Sequence, residues 1–376
     1  MQKRRAFLET IAGLAVASAS GSSEPAPTPA RRLRFAAIGL NHGHVYAQVD
    51  DVVRGGGELV AFHAKEPELA AEFARRFPAA TRAREEREIL EDGSIPLVVS
   101  AAIPSERSAL AVRAMQHGKD FMVDKPGATT LEQLAELRRV QAQTRRTWSV
   151  WYGRLADRAL SRAAELVRAG AVGRVLQTIG LGPHRMDLAS RPPWFFEKLR
   201  YGGILCDLAS HQADQFLFFT GSTRFEVVAS QAGNLNHPEH PGLEDFGDML
   251  VRGDGGTGYA RVDWFTPGGL RTWGDGRFTV LGTDGFIEIR QNVDIGGRPG
   301  GNHLFLVDQK ESKYFDCHDQ PLPAGAQLVA DVLDRTETVM SQAHCFLATE
   351  LALRAEASAQ RVELGSRLPC RSPSPV

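Results

Sequence analysis

One segment near the start of the chain constrains its fold more than any other. Residues 33–38 form a short, mostly apolar strand pattern, and Gly39-Leu-Asn-His-Gly-His44 follows it directly, ahead of apolar residues at helical spacing. In such a turn, backbone N–H groups and a helix N-terminus can approach a pyrophosphate. Asn41 and His44 replace the second and third glycines of the G-x-G-x-x-G fingerprint, so a plain strand–helix turn is the alternative.

The same order of strand and helix repeats along the first half of the chain. Apolar runs of strand length lie at 58–63, 97–101 and 120–124, and helical patterns lie at 67–77, 105–117 and 129–143. Alternation of this kind predicts a parallel sheet with right-handed crossovers. We therefore predict an α/β fold that begins with a doubly wound Rossmann domain over residues 33–148.

Ligands of a doubly wound sheet bind at the carboxyl ends of its strands, and we predict a dinucleotide there. The second strand ends in Ala64-Lys65, without the acidic residue that accepts a hydrogen bond from the NAD ribose. This favours NADP weakly over NAD, although Lys65 could equally be a solvated loop residue. The predicted cofactor contacts are Gly39, Asn41, His42, Gly43, His44, Ala64, Lys65, Ala102, Pro104 and Lys125.

The second half of the chain has a different pattern. Short apolar runs separated by glycine-rich turns predict a second α/β domain over residues 149–325, with a large, open and mostly antiparallel sheet. Residues 326–365 are predicted to form helices that pack back on the rest of the protein. The tail, residues 366–376, is predicted to be disordered.

Two motifs are candidates for the chemistry. Lys125 follows an apolar strand at the predicted ligand edge, and the proline after it restricts the peptide. Farther on, a helix beginning after Gly203 would place Asp207 and His211 on one face, ~6 Å apart along the axis. A carboxylate beside an imidazole fixes its tautomer and raises its basicity, which suits acid–base work on a hydroxyl proton. The alternative is a structural hydrogen-bonded pair.

Taken together, these residues resemble the glucose-fructose oxidoreductase, inositol dehydrogenase and MocA (Gfo/Idh/MocA) family over nearly all of the chain after residue 33. The resemblance rests on the Gly39 turn, Asp124-Lys125-Pro126 in place of Glu-Lys-Pro, Gly202-Gly203, Asp207-x-x-x-His211 and Asp214. It implies a nicotinamide dinucleotide in the first domain. It also implies that His211 accepts or donates the proton, that Asp207 orients His211, and that Lys125 holds the substrate oxygen and the nicotinamide end.

The predicted function is therefore that of an NAD(P)-dependent oxidoreductase acting on a CH–OH group of a sugar, sugar acid or cyclitol, with tightly bound NADP or NAD. A glycosidase-like enzyme that uses transient oxidation and elimination is one alternative, and a nucleotide-binding sensor is another. The resemblance further implies a homo-oligomer formed through the C-terminal sheet. Aromatic platforms and fixed donors suit polyhydroxylated ligands, and the predicted substrate contacts are Tyr152, Arg154, His184, Arg185 and Trp194.

Composition argues against several other classes. The formal net charge is -1, from 44 Lys and Arg against 45 Asp and Glu. The chain therefore lacks the excess of positive charge that favours binding to nucleic acid. No apolar run reaches the ~20 residues of a membrane span. The four cysteines form no C-x-x-C pair. His237-Pro-Glu-His240 has no evident third ligand, so no metal is predicted.

The first 32 residues have the order of an export signal. Arg4-Arg5 precedes Phe7-Leu8, a mildly apolar stretch follows, and Ala17-Ser-Ala19 offers a cleavage site. The paired arginines resemble the twin-arginine type, which predicts a periplasmic or otherwise exported protein. An uncleaved tail or a short anchor helix is the alternative. Because this route carries folded proteins, a cofactor would be bound before export.

Overall fold

The computed structural model describes residues 32–363. The predicted export signal, apart from Arg32, therefore lies outside the described residues, as do the predicted disordered tail and Cys370. The described part contains two sheets, one of six strands and one of nine. This arrangement confirms the predicted fold class, a Rossmann sheet followed by a larger and mostly antiparallel sheet.

The first sheet is wholly parallel and has the strand order β3-β2-β1-β4-β5-β6. Its strands are β1 (Leu33–Ile38), β2 (Gly57–His63), β3 (Thr81–Arg82), β4 (Leu97–Ser100), β5 (Asp120–Asp124) and β6 (Trp148–Trp151). The helices between them are α1 (His44–Arg54), α2 (Pro67–Arg76), α3 (Glu86–Leu90), α4 (Pro104–Gln116) and α5 (Leu131–Thr144). All residues of β4, β5 and β6 are buried, as expected of strands covered on both faces.

The sixth strand lies beyond the predicted boundary of the first domain. The sequence analysis ended that domain at residue 148, whereas Trp148–Trp151 pairs in parallel with β5 and completes the first sheet. The apolar run is a valid strand pattern in either domain. Only the pairing of Phe121 with Trp148 and of Asp124 with Trp151 assigns the strand to this sheet.

The second sheet has the strand order β14-β13-β12-β11-β7-β10-β9-β8-β15. Its strands are β7 (Val175–Pro183), β8 (Phe225–Gly233), β9 (Phe246–Gly253), β10 (Thr257–Asp263), β11 (Arg277–Gly282), β12 (Gly285–Arg290), β13 (His303–Asp308), β14 (Ser312–Asp316) and β15 (Gln360–Arg361). Neighbouring strands are antiparallel except in two pairs, β7 with β10 and β8 with β15.

The remaining helices follow the first sheet in the chain, and several of them contact the second sheet. They are α6 (Gly153–Ala156), α7 (Arg158–Arg168), α8 (Lys198–Tyr201), α9 (Ile204–Asp207), α10 (Ser210–Thr220), α11 (Ala324–Asp334) and α12 (Gln342–Ala357). α11 packs on α1, and α12 packs on α5 and β6, where Phe346 stacks on Trp148 with ring centroids 4.9 Å apart. The last two helices thus contact the Rossmann half.

Side chains alternate across the nine-stranded sheet. On β7, Gly180 and Gly182 face α10, because a Cβ at either position would meet Gln212. Ile179, which precedes Gly180, points to the other face and is 36% exposed, and Leu281 of β11 is 41% exposed. Leu281 lies directly opposite Phe286, which is 37% exposed. The outer face of the sheet therefore exposes apolar side chains.

The predicted single helix after Gly203 is interrupted. α9 ends at Asp207 and α10 begins at Ser210. In a continuous helix the Asp207 carbonyl would accept from the His211 N–H. Here the Ser210 hydroxyl donates to that carbonyl at 3.2 Å, and the His211 N–H bonds to the Leu208 carbonyl at 3.3 Å. Asp207 and His211 therefore lie in separate helices.

Candidate active site

Two adjoining pockets lie along the carboxyl edge of the first sheet. The larger, which we call the cleft, has a volume of about 340 Å³ and is walled by both halves of the protein, including Lys125 and Trp264. The smaller, which we call the strand-end pocket, has about 40 Å³ and lies against the ends of β1 and β2. Asn41 lines both, so the two pockets form one groove across the Gly39 turn.

The predicted cofactor contacts all line this groove. The strand-end pocket is lined by Gly39, Asn41, Ala64, Lys65 and Ala102. The cleft is lined by Asn41, His42, Gly43, His44, Pro104 and Lys125. The sequence argument placed them at the ends of different strands, and the parallel sheet brings those ends to one edge.

The turn after β1 fits a dinucleotide. Gly39 has a φ of 76°, and a Cβ there would lie 2.5 Å from the Cβ of Ala102, so only glycine lets the two strand ends approach so closely. Its N–H bonds to the His63 carbonyl at 3.1 Å, which ties the turn to β2. A Cβ at Gly43 would meet nothing within 4 Å, so the turn is open toward the cleft. These residues fit a bound nicotinamide dinucleotide.

The end of β2 carries charges of both signs. Lys65 Nζ lies 3.6 Å from the Glu106 carboxylate, and the Asn41 amide donates to Glu66 at 2.8 Å. Glu66 and Glu106 both line the strand-end pocket. The sequence analysis noted that position 64 carries no acidic residue, but it overlooked Glu66, two residues later. The hydrogen bond from Asn41 holds the Glu66 carboxylate beside this pocket.

Lys125 and Asp207 meet across the cleft. Lys125 Nζ donates to Asp207 Oδ1 at 2.8 Å, and the two side chains are only 6% and 13% exposed. Burial acts to raise the pKa of Asp207, but the charge and hydrogen bond of Lys125 hold that pKa below its usual value. The cleft therefore contains a buried ammonium–carboxylate pair with one partner from each half of the protein.

His211 has a different partner from the predicted one. Its Nδ1 accepts a hydrogen bond from the Gly153 N–H at 2.9 Å, and no hydrogen bond joins it to Asp207. Burial, together with the nearby charge of Lys125, lowers the pKa of His211 to about 3. The neutral ring that accepts at Nδ1 carries its proton on Nε2. The ring packs beside Tyr152 and Gly153 and is not part of the cleft wall.

Two of the predicted substrate contacts line the cleft, namely His184 and Trp194. His184 Nδ1 lies 2.9 Å from the Gly182 carbonyl, which places the ring proton on Nδ1 and leaves Nε2 as an acceptor. Burial lowers the pKa of His184 to about 4, so the ring is neutral near pH 7. Trp194 is 8% exposed and supplies an apolar surface.

The other predicted substrate contacts are occupied by internal interactions. The Tyr152 hydroxyl pairs with Thr349 at 2.9 Å in the core. Arg154 makes two hydrogen bonds to Asp214, at 2.8 and 3.0 Å, and Arg185 binds backbone carbonyls of the 267–272 loop. None of these three side chains lines the cleft. Their partners are distant in sequence, so residue type alone did not reveal these contacts. Asp214 is likewise a partner of Arg154 and stands away from the cleft.

The sequence analysis missed Arg191. Its guanidinium lies over three aromatic rings, at 4.5 Å from Phe195, 4.8 Å from Trp264 and 5.0 Å from Trp273. All four side chains line the cleft. Arg191 Nε is buried without a hydrogen-bond partner. An arginine inside the aromatic segment 191–196 was the available signal, but two of the rings come from residues more than seventy positions later.

A second missed feature is a cluster around Asp124. His44 Nδ1 lies 2.9 Å from Asp124 Oδ1, and His42 Nδ1 lies 3.0 Å from Asp124 Oδ2. Arg107, which is 1% exposed, donates to Asp124 Oδ2 at 3.0 Å. Burial raises the pKa of Asp124, yet the surrounding imidazoles and Arg107 hold it well below its usual value. Burial, with the neighbouring His44, lowers the pKa of His42 to about 4.

Other candidate features of the sequence have internal roles. His237 Nδ1 pairs with the buried Asp245 at 2.8 Å, and His240 stacks on Phe196 with ring centroids 3.9 Å apart. Within residues 32–363, the cysteines at 206, 317 and 345 are buried and free of disulfides. In the same range, no helix has the length and apolar character that crossing a membrane requires.

Comparison with known proteins agrees with this architecture. Residues 33–152 match the family described as "Oxidoreductase family, NAD-binding Rossmann fold", and residues 160–288 match the "GFO/IDH/MocA C-terminal domain". A solved structure from Erwinia carotovora atroseptica, provisionally described as an oxidoreductase, is 44% identical with a TM-score of 0.86, and the match covers 88% of this chain and 100% of that one.

Two characterised relatives show more distant similarity. A scyllo-inositol 2-dehydrogenase (NAD(+)) of Bacillus subtilis is 25% identical over 74% of this chain and 80% of its own length. A levoglucosan dehydrogenase of Pseudarthrobacter phenanthrenivorans is 31% identical over 51% of this chain, and that match spans only 49% of the relative.

The doubly wound sheet, the glycine turn at its ligand edge and the lysine–aspartate pair facing a second, open sheet define a class of two-domain proteins that bind nicotinamide dinucleotides. Within that class, the chain belongs to the Gfo/Idh/MocA family of oxidoreductases. This confirms the resemblance drawn from the sequence motifs.

Proposed function

We propose that the protein transfers hydride between a tightly bound nicotinamide cofactor and the carbinol carbon of a sugar, sugar acid or cyclitol. The observation that carries the proposal is the buried Lys125–Asp207 pair, which faces the open end of the dinucleotide groove. The cyclitol and sugar dehydrogenases among the relatives support the substrate class.

The bound cofactor would supply the hydride acceptor or donor. Lys125 would contact the reacting oxygen, because its ammonium group can stabilise the negative charge that forms on this oxygen when the hydroxyl proton leaves or when hydride adds to the carbonyl carbon. Asp207 would keep Lys125 positioned by holding one of its N–H groups. When a carbonyl is reduced, the ammonium can deliver a proton to the oxygen, and in the reverse direction the resulting amine would take the hydroxyl proton back, so the proton is accounted for both ways.

Of the two neutral histidines, His184 lines the cleft and His211 does not. His184 offers an acceptor at Nε2, which suits a substrate hydroxyl donor. His211 carries its proton on Nε2 and has a pKa lowered to about 3, so in this proposal it is not the proton acceptor. In this proposal Gly153, not Asp207, fixes the tautomer of His211.

The charges in the strand-end pocket bear on the choice of cofactor. Lys65 and the absence of a carboxylate at position 64 favour the 2′-phosphate of NADP. Glu66 and Glu106 oppose a phosphate and can accept a hydrogen bond from a ribose hydroxyl. We keep the weak preference for NADP as part of the proposal, and the released nucleotide will decide it.

The test is to purify the full chain without added nucleotide, denature it and identify any released nucleotide by mass spectrometry. The intact protein is then incubated with sugars, sugar acids and cyclitols while the absorbance of the reduced nicotinamide is followed. We expect released NADP or NAD and a change in its redox state with at least one substrate. A protein that neither contains nor binds either nucleotide would overturn the proposal. Aglycone release from a glycoside without net absorbance change would indicate the glycosidase-like reaction instead, and binding without turnover would indicate a sensor.

Arg191 leads to a prediction about the substrate. Its guanidinium is held by three rings, and its Nε lacks a partner, so it is suited to an anionic group on the ligand. We expect Arg191→Gln to raise KM for acidic substrates on the order of 10–100-fold, with little change for neutral ones. Steady-state kinetics on matched acid and alcohol substrates measures this. Arg298→Gln, which removes another ring-stacked arginine outside the cleft, is the control. Equal effects on both substrate types would contradict the prediction.

We also propose that residues 1–32 direct export of the folded protein by the twin-arginine route. The support is the sequence order described above, and export without a free cofactor pool would favour recycling of one bound nucleotide. Arg4→Lys with Arg5→Lys is expected to leave most of the protein in the cytoplasm, as measured by immunodetection after cell fractionation. Arg31→Lys with Arg32→Lys, at the second arginine pair, is the matched control. Unchanged localisation of the first variant would refute this assignment.

We further propose that the outer face of the nine-stranded sheet joins subunits of a homo-oligomer. The exposed apolar side chains Ile179, Leu281 and Phe286 support this. Leu281→Glu would bury a charge in that interface, so we expect it to yield monomers by size-exclusion chromatography with light scattering. Leu199→Glu, at a leucine that is 91% exposed outside the sheet, should leave the assembly unchanged. An unaltered oligomer in the Leu281 variant would exclude this face.

A further inference from the structure

We propose that His42, His44 and Asp124 bind one divalent transition-metal ion of the zinc class at the wall of the cleft. One nitrogen from each imidazole and one carboxylate oxygen all lie within 4.8 Å of one another. The two Nδ1 atoms approach different oxygens of Asp124, at 2.9 and 3.0 Å. Two imidazoles and one carboxylate are a ligand set that suits such ions.

His42 provides an independent observation. Its Nδ1 is buried and makes no hydrogen bond, although Asp124 Oδ2 is only 3.0 Å away. Buried polar atoms in proteins are nearly always partnered by protein, water or an ion. A metal ion between the three side chains would give this nitrogen its partner.

The surroundings of Asp124 match those of a metal-binding carboxylate. Ligand side chains are usually held in place by hydrogen bonds from outside the coordination sphere. Arg107 donates to Asp124 Oδ2, and its other N–H groups are fixed by the backbone carbonyls of residues 102 and 124–126. The carboxylate is wholly buried and its direction is set before any ligand binds.

The formal charges of the ionised side chains around the site cancel, so they neither exclude a cation nor require one. Asp124 and Asp207 contribute negative charge, and Arg107 and Lys125 contribute positive charge. Affinity would therefore come from the donor atoms and their convergence, as neutral imidazoles allow.

The position of His44 in the sequence supports the same inference. The third glycine of the dinucleotide fingerprint normally allows close packing of the helix on the strand. Here a histidine occupies that place, and its ring reaches the end of β5. Three protein ligands would leave a coordination position for an oxygen of water or of a molecule in the cleft.

The experiment uses the full chain after treatment with a chelator. Co²⁺ is titrated while its visible absorption is followed, and the metal content is measured after dialysis against Zn²⁺. We expect one ion per chain, with binding at least about tenfold weaker in His42→Gln and in His44→Gln. His318→Gln and His117→Gln, which change exposed histidines outside the cluster, should bind as the unaltered protein does. The histidine variants are used because Asp124→Asn would also remove the buried partner of Arg107.

Two results would overturn the proposal. One is the absence of stoichiometric Co²⁺ or Zn²⁺ in folded, unaltered protein. The other is metal binding that survives in both cluster variants, which would place the ion elsewhere. Neither measurement depends on hydride transfer, so the outcome is separate from that of the proposed function.

Discussion

Replacing Lys125 by methionine is expected to lower turnover by roughly 10²–10⁴-fold while the nucleotide stays bound. The variant keeps a long side chain but removes the ammonium that would stabilise the reacting oxygen and deliver its proton. It also leaves the buried Asp207 without its partner, so the pKa of that carboxyl should rise. The measurement is the rate at which the active substrate changes the redox state of the nicotinamide, together with the nucleotide content of the variant.

A matched control separates this effect from the loss of any buried lysine. Lys119 is also largely buried, but its ammonium group binds the Asp92 carbonyl outside the cleft. Lys119→Met should therefore keep turnover near that of the unaltered protein. If the Lys125→Met enzyme retained its nucleotide and its turnover stayed within a few-fold of the unaltered rate, Lys125 would have no role in the proposed mechanism.

Replacing Arg107 by methionine is expected to lower the free energy of unfolding by about 3–5 kcal/mol. Arg107 is 1% exposed and pairs with Asp124, which is wholly buried. Its loss would leave the buried Asp124 carboxylate without its positively charged partner. Several backbone carbonyls would also lose their hydrogen-bond donor. Denaturant unfolding followed by circular dichroism measures the change.

The comparison for Arg107 comes from the same helix. Arg113 is 48% exposed and pairs with Glu86, so Arg113→Met should cost about 1 kcal/mol or less. The double variant Arg107→Met with Asp124→Asn should be less destabilised than the two single effects added together, because the uncompensated charge is gone. If Arg107→Met proved no more costly than Arg113→Met, the buried pair would not be a major source of stability.

Much of the fold could be predicted because its signals are local. The run 33–38, the Gly39 turn and the following helix lie within one stretch of chain, and the period of apolar residues distinguishes strand from helix. The strand at 148–151 has an equally clear pattern but was assigned to the wrong side of the boundary. Its place depends on pairing with β5, which local periodicity does not encode.

The site divides in the same way. Residues at the ends of parallel strands were found, since the topology of the sheet brings those ends together. The interruption between Asp207 and His211 was not foreseen, because a serine hydroxyl takes the carbonyl that a continuous helix would use. The substrate contacts predicted at 152, 154 and 185 came from residue type alone, and type does not reveal which partner a side chain reaches.

The sequence by itself determined the parallel nucleotide-binding sheet, its ligand edge and the residues that follow each strand, because periodicity and turn chemistry act over a few neighbouring positions. Only the tertiary structure decided which side chains pair. Lys125 with Asp207, His42 and His44 with Asp124, and Arg191 with its three rings are joined by chain segments far apart in sequence. Such pairings depend on the packing of whole elements against one another, and that packing sets both the tautomer of His211 and the charge of the cleft.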